Sequence, residues 1–221
     1  MADDIVIHPN ERVEPLDERN VILQTVDGYR FGSDAVALYK FAARYVKRGR
    51  RIADLCSGCG VIGLLLAIDT GAEVVGAEID GEMCDMSNRS CALNGMDGVK
   101  FINADVNSLP ICEFGKGSFD AVVCNPPYYR SNNKASAVAP QANCEVSVCF
   151  DDIARVSREL LSVGGAFFTV HATTRLDDVI SSCARYGLTP KQMEMNANGK
   201  TFLLRCVKGG KQSMDVVVKE F

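Results

Sequence analysis

Residues 51–78 read RIADLCSGCGVIGLLLAIDTGAEVVGAE. Residues 51–55 form a short apolar strand, and a glycine-rich turn follows it. Val61-Ile62-Gly63 then opens an apolar helix within 60–69, and a second strand at 73–78 closes on a carboxylate, Glu78. The same rhythm continues with a helix at 81–94, strands at 99–103 and 119–124, a helix at 151–161, a strand at 166–170 and a helix at 174–186. Repeated strand–helix alternation requires a parallel sheet covered on both faces. Leu188–Met195 and Thr201–Val207 are separated only by Asn196-Ala197-Asn198-Gly199-Lys200, which predicts a terminal hairpin that adds one antiparallel strand. Upstream, residues 21–31 read as a hairpin turning at Asp27-Gly28, and Ser33-Asp34 are placed to cap a helix reaching about Val46. In such an open sheet, ligands sit beyond the carboxyl ends of the strands, where the strand order reverses.

Composition narrows the class further. Apolar residues make up 47% of the 221 and charged residues 24%, which excludes disordered and collagen-like chains. The longest apolar run, Val61 to Ile68, is too short to span a bilayer. Met1-Ala2-Asp3-Asp4 puts acid where a signal peptide needs base, so a cytoplasmic location without membrane contact is expected. Ten scattered cysteines then read as thiols. Cys56 and Cys59 form a C-x-x-C with no matching second pair, so no metal site is expected. Net charge is −4, yet residues 185–221 carry seven Lys/Arg against three Asp/Glu, which allows an anionic partner.

The chemistry lies at the strand ends. Residues 58–63 match G-x-G-x-x-G, with Glu78 about twenty residues further on, as a dinucleotide site would require. Asp54 argues against a pyrophosphate, because a carboxylate at the lip of the turn repels it. That carboxylate favours a ligand with an ammonium group, such as the methionine part of S-adenosylmethionine. Ser57, Gly58 and Gly60 shape the turn, and Glu78 can accept hydrogen bonds from ribose hydroxyls. Asp105 can accept from an adenine amino group, and Ile79 and Val106 offer apolar faces to that ring. Cys59, at a helix start, is expected to be an acidified thiol.

The strand at 119–124 runs into Asn125-Pro126-Pro127-Tyr128. Two prolines restrict the turn and remove amide donors. The Asn125 side-chain oxygen and Pro126 carbonyl can then meet one planar amino group, while Tyr128 offers a stacking face. At these residues the chain resembles the S-adenosylmethionine-dependent N-methyltransferases whose fourth strand ends in Asn-Pro-Pro-Tyr. More narrowly, it resembles the bacterial tRNA adenine-N6 methyltransferases that modify adenine-37 of a valine tRNA. Gly28-Tyr29-Arg30-Phe31 with Ser33-Asp34-Ala35-Val36, His171, Tyr186-Gly187-Leu188 and Lys208-Gly209-Gly210-Lys211 carry the narrower likeness. The chain departs from that family in having Cys56 in place of glycine, and Asn143-Cys144-Glu145 in place of Arg-His-Glu.

The resemblance implies a Rossmann-like methyltransferase α/β fold. It has a mostly parallel seven-stranded sheet with helices on both faces, a C-terminal antiparallel strand, and a short N-terminal hairpin and helix. Residues 1–48 would be an extension over the cofactor, and 49–221 the methyltransferase domain. The resemblance also implies Asn125, Pro126 and Tyr128 as catalytic residues. Asp34, Asp54, Ser57, Gly58, Gly60, Glu78, Ile79, Asp105, Val106 and Asn125 would hold S-adenosylmethionine. Pro127, Tyr128, Arg130, Lys134 and Lys200 would meet the acceptor, a tRNA bound by a monomeric enzyme. Protein glutamine and rRNA guanine-N2 methyltransferases present similar chemistry, and a non-catalytic cofactor-binding module is the alternative of a different class.

Overall fold

The computed structural model describes residues 5–27, 30–109, 114–127, 129–130, 144–145 and 149–221. The chain opens with β1 (Glu11–Pro15) and β2 (Val21–Thr25), followed by α1 (Ser33–Ala43). The first alternating unit is β3 (Arg51–Leu55), α2 (Val61–Thr70), β4 (Glu73–Glu78), α3 (Gly81–Leu93) and β5 (Val99–Asn103). Next come β6 (Phe119–Cys124) and the two-residue strands β7 (Tyr129–Arg130) and β8 (Cys144–Glu145). The chain continues through α4 (Phe150–Leu160), β9 (Leu161–Ala172), α5 (Leu176–Arg185), β10 (Leu188–Asn196), β11 (Thr201–Lys208) and β12 (Asp215–Lys219).

The main sheet has eight strands in the order β12-β10-β11-β9-β6-β3-β4-β5, one more than the sequence predicts. β11 alone runs antiparallel to its neighbours, and β12 joins β10 in parallel. The extra strand comes from residues 215–219, whose charged ends and short length hide a β pattern. Order reverses at β3, which has β4 on one side and β6 on the other.

Alternate residues of β3 face opposite cores. Ile52 joins Phe41, Leu64, Phe101 and Phe168 beneath α1, α2 and α3; Ala53 and Leu55 join Phe119, Phe150, Phe167 and Phe202 beneath α4 and α5. Burial of each of these leucine, isoleucine and phenylalanine side chains contributes about 1.5–3 kcal/mol.

The N-terminal hairpin is displaced from its expected position. Its turn is 16–20, where Asp17 Oδ1 accepts from the Arg19 and Asn20 amides at 2.7 and 2.8 Å. An aspartate closing a turn onto its own following amides competes well with an Asp-Gly step. β2 then docks on α3, with the Leu23 amide donating to Ser90 Oγ at 3.0 Å and the Val21 amide to Asn94 Oδ1 at 2.8 Å. The cap of α1 is Gly32, and Asp34 stands in the first turn. No helix among the described residues is long and apolar enough to cross a membrane.

Three glycines fix how α2 sits on the sheet. The Phe101 ring fills the hollow above Gly76 and Gly60, where an added Cβ would lie 2.1 and 2.6 Å from ring atoms, and it also approaches Gly63. Gly76→Ala is therefore expected to lower unfolding free energy by about 1–3 kcal/mol, the range for overpacking a filled core. Urea unfolding of the variant against the parent measures it.

Candidate active site at the carboxyl edge

β3 ends at Leu55, which lies level with Cys124 of β6. One residue further on each strand stand Cys56 and Asn125, so the glycine turn and the Asn-Pro-Pro turn adjoin at the point of strand reversal. Cys56 has φ +54°, a left-handed conformation that favours glycine, and no other non-glycine residue among those described has a positive φ. Its thiol and desolvation together push the fully buried Cys124 thiol upward, desolvation being the larger cause.

The turn is built on backbone hydrogen bonds. The Gly58 amide donates to Glu78 Oε2 at 2.7 Å, and the Asp80 amide donates to Glu78 Oε1 at 3.0 Å. Ser87 Oγ, on the buried side of α3, donates to the Gly58 carbonyl at 3.0 Å. Asn103 Nδ2 ties down the carbonyls of Glu78 and Ile79 at 3.0 and 2.9 Å. Nothing in the local sequence singles out Ser87 or Asn103. The one local trace of Ser87's role is a serine on the buried side of a helix.

The glycines divide their labour. Gly58, at φ +55°, faces open space, whereas Gly60 and Gly63 turn their Cα faces toward Phe101. Asp54 is fully buried, and its Oδ2 accepts from the Gly63 amide at 2.9 Å while Oδ1 has no hydrogen-bond partner. Burial raises its carboxyl to about 7, against the pull of the Gly63 amide and with the Glu78 charge adding to the rise. Burial likewise raises Glu78. Ser57 Oγ is a second buried polar atom without a partner. An unpartnered carboxylate oxygen and hydroxyl beside an open glycine suit a ligand that brings an ammonium and further polar groups.

Cys59 overturns its expectation. It is 2% exposed, and desolvation drives its thiol to about 12. The helix start does not acidify a thiol that faces the core.

Around this centre, Ile79 is 52% exposed at the lip of β4, while Val106 is 5% exposed and belongs to the core beneath. Asp105 Oδ1 accepts from the Asn107 amide at 2.8 Å, capping a short turn. α1 packs on the sheet through Phe41, edge-on to Phe168 of β9, and carries Asp34 in its first turn. Asn125 and Pro127 are half-buried and Pro126 is buried. His171, two residues beyond the level of Cys124 on β9, is buried edge-on to Phe150; burial lowers it to about 4 and keeps it neutral.

Lys200 is exposed in the β10–β11 turn at this same edge, its carbonyl accepting from the Thr173 amide at 2.9 Å. Arg130 pairs with Glu145 through the backbone of β7 and β8. Tyr128, Lys134 and Asn143 lie outside the described residues. Within the basic cluster before β3, Arg50 sits at the opposite edge and meets Asp120 at 2.8 Å, whereas Arg44 reaches Glu194 at 2.7 Å, toward the carboxyl end of β10. Among the described residues no group of three or more His, Cys, Asp or Glu is arranged to hold a metal.

A family model for the methyltransferase small domain matches residues 32–176. The tRNA1(Val) (adenine(37)-N6)-methyltransferase of Phocaeicola vulgatus is 26% identical over 161 residues, 72% of this chain and 66% of that protein. The release factor glutamine methyltransferase of Chlorobaculum tepidum is 33% identical over 79 residues, 35% of this chain and 27% of that protein. The chain thus aligns with under two thirds of the length of these relatives. The fold is shared with a predicted O-methyltransferase from Agrobacterium tumefaciens, at 21% identity over 85% of this chain and 86% of that one, with a TM-score of 0.67.

The Asp54 carboxyl makes stability depend on pH. Between its ordinary 3.8 and about 7, the folded chain holds a proton that the unfolded chain releases. Raising pH through that window therefore removes stability, and the contribution is gone above it. Asp54→Asn is expected to flatten this fall and to weaken binding of a cationic ligand. Urea unfolding of both proteins at the two ends of the window, with calorimetry on S-adenosylmethionine, measures both effects.

Proposed function

The chain belongs to the methyltransferase small domain family, and from that premise we propose that it methylates an exocyclic amino nitrogen, with S-adenosylmethionine as donor and N6 of adenine-37 in a valine tRNA as acceptor. One observation carries this reading. A glycine turn with an unpartnered buried Asp54 oxygen adjoins the Asn125-Pro126-Pro127 turn on the neighbouring parallel strand.

Asp54 and Ser57 would meet the amino acid part of the donor, with Gly58 leaving room for its approach. Glu78 already accepts one amide on each carboxylate oxygen and keeps lone pairs for ribose hydroxyls. Asp105 and Ile79 would bracket the adenine, with Val106 supporting from the core, Gly60 shaping the turn, and Asp34 closing over the site from α1. When bound, the donor supplies an electrophilic methyl group on a sulfonium.

The acceptor nitrogen is a poor nucleophile because its lone pair is delocalised into the ring. Hydrogen bonds from that amino group to the Asn125 side-chain oxygen and the Pro126 carbonyl draw it toward a tetrahedral shape. They also stabilise the positive charge that develops on it. Tyr128, with Pro127, would stack an extruded base in register. The proton leaves to water, and no strong base is needed. A glutamine side-chain amide poses the same chemical problem, so the acceptor class is decided by experiment. Methyl label from S-adenosylmethionine is expected in total RNA and not in total protein; label in protein alone overturns the tRNA reading.

Asn125→Ala is expected to lose at least about 10²-fold in turnover, the scale for removing one preorganised hydrogen bond to developing charge. Cofactor affinity should stay within a few-fold, as calorimetry beside a turnover assay will read.

On the acceptor side, Arg130, Lys134 and Lys200 would contact RNA phosphates. Lys200→Glu is expected to weaken RNA binding and flatten the log-affinity against log-salt slope by about 0.7–0.9. Arg50→Glu, at the opposite edge and already paired with Asp120, should do much less. Filter binding across a salt series compares the two.

A further inference from the structure

Among the described residues β12 is an end of the main sheet with no strand on its outer side, and all five of its residues are exposed. Val216, Val217 and Val218 are 54, 43 and 65% exposed, and Met214 beside them is 38% exposed. Sheet edges of this kind are usually blunted by proline, a bulge or a central charge. Here the charges stand only at the ends of the strand, as Asp215 and Lys219. The sequence Asp-Val-Val-Val-Lys is therefore charge-complementary to itself when reversed.

The backbone is oriented to match. The Lys219 carbonyl accepts from the Ala197 amide at 2.9 Å, so Lys219 turns its peptide groups toward β10. By the two-residue alternation of a strand, Val217 and Asp215 do the same, and Val216 and Val218 present their N–H and C=O groups outward. In an antiparallel pairing centred on Val217, Val216 of one chain exchanges both hydrogen bonds with Val218 of the other. The symmetry-related pair repeats this. Val217 then faces its own copy at a non-hydrogen-bonded position, where side chains approach most closely. Asp215 falls opposite Lys219, also at a non-hydrogen-bonded position. The Lys219 ammonium lies 2.7 Å from Glu194 Oε2 and has protons to spare for a second carboxylate. Asp215 has no ion-pair partner among the described residues.

We propose that β12 is the contact of a two-fold dimer, in which this strand pairs antiparallel with β12 of a second copy of the chain about Val217. The monomer expected from sequence is then one side of an equilibrium. The two sheets would join into one of sixteen strands with their carboxyl edges pointing in opposite directions. β6 lies four strands from β12, roughly 19 Å at the usual inter-strand spacing, so both candidate sites stay open. A strand this short buries less than a standard interface, so association should depend on concentration.

Sedimentation of the full chain over a wide dilution series is expected to show a species of twice the 23.9 kDa chain mass, lost in Val217→Lys. Val217→Cys should form a covalent dimer with glutathione disulfide, well above the level of the parent with its native thiols. Val216→Cys should stay at the parent's level, because its copy across the axis is offset beyond the roughly 7 Å that a disulfide can bridge. The proposal is overturned by a parent that remains monomeric at every concentration or assembles beyond a dimer. It is equally overturned if Val217→Lys still dimerises, or if Val216→Cys cross-links as well as Val217→Cys.

Discussion

The seat of the Phe101 ring against Gly60, Gly63 and Gly76 governs the distance between α2 and the sheet. Because the ring occupies the space that the Cβ atoms of residues 60 and 76 would take, and Asp54, Val74 and the same ring crowd Gly63, the helix start can lie directly on the sheet. That closeness lets the Gly63 amide reach Asp54 and the Gly58 amide reach Glu78. A core contact thereby sets the position of the turn that would cradle a ligand. Only Gly58, free of Phe101, is left to face outward.

The same closeness has an electrostatic consequence. Asp54 is carried into the core with a single hydrogen bond, and Glu78 lies near enough to raise it further. A buried carboxylate left half-satisfied is costly by itself and falls in cost when a cation arrives. Binding of an ammonium group and the ionisation of Asp54 thus favour each other. The strained Cys56 belongs to the same trade between stability and shape, since its left-handed backbone lets β3 turn beside Asn125.

Charge is partitioned by the sheet. At the amino edge Arg50 is engaged with Asp120 and Arg51 lies over the Phe119 ring at 4.4 Å, while Arg44 is taken up by Glu194 further along β10. At the carboxyl edge Lys200 stands exposed on its hairpin turn, brought there because β10 runs parallel to β9 through the intervening antiparallel β11. A count of basic residues along the chain favours the first group as an RNA contact. Their partners and position favour the second.

The amino-acid sequence by itself determined the alternating elements, because strand and helix periods, glycine turns and the Pro-Pro step are local properties. It also placed Asp54, Glu78, Lys200 and Asn125 at one edge, since parallel topology sends every strand end the same way. Tertiary structure alone decided the rest. Cys59 and Val106 are both buried because each faces the core, a direction no local pattern encodes. Ser87 and Asn103 act through contacts with residues far along the chain. The first hairpin uses the Asp17 turn because β2 must dock on α3, and β12 exists because β10 has an outer edge to pair. Long-range pairing and burial, rather than propensity, settled these points.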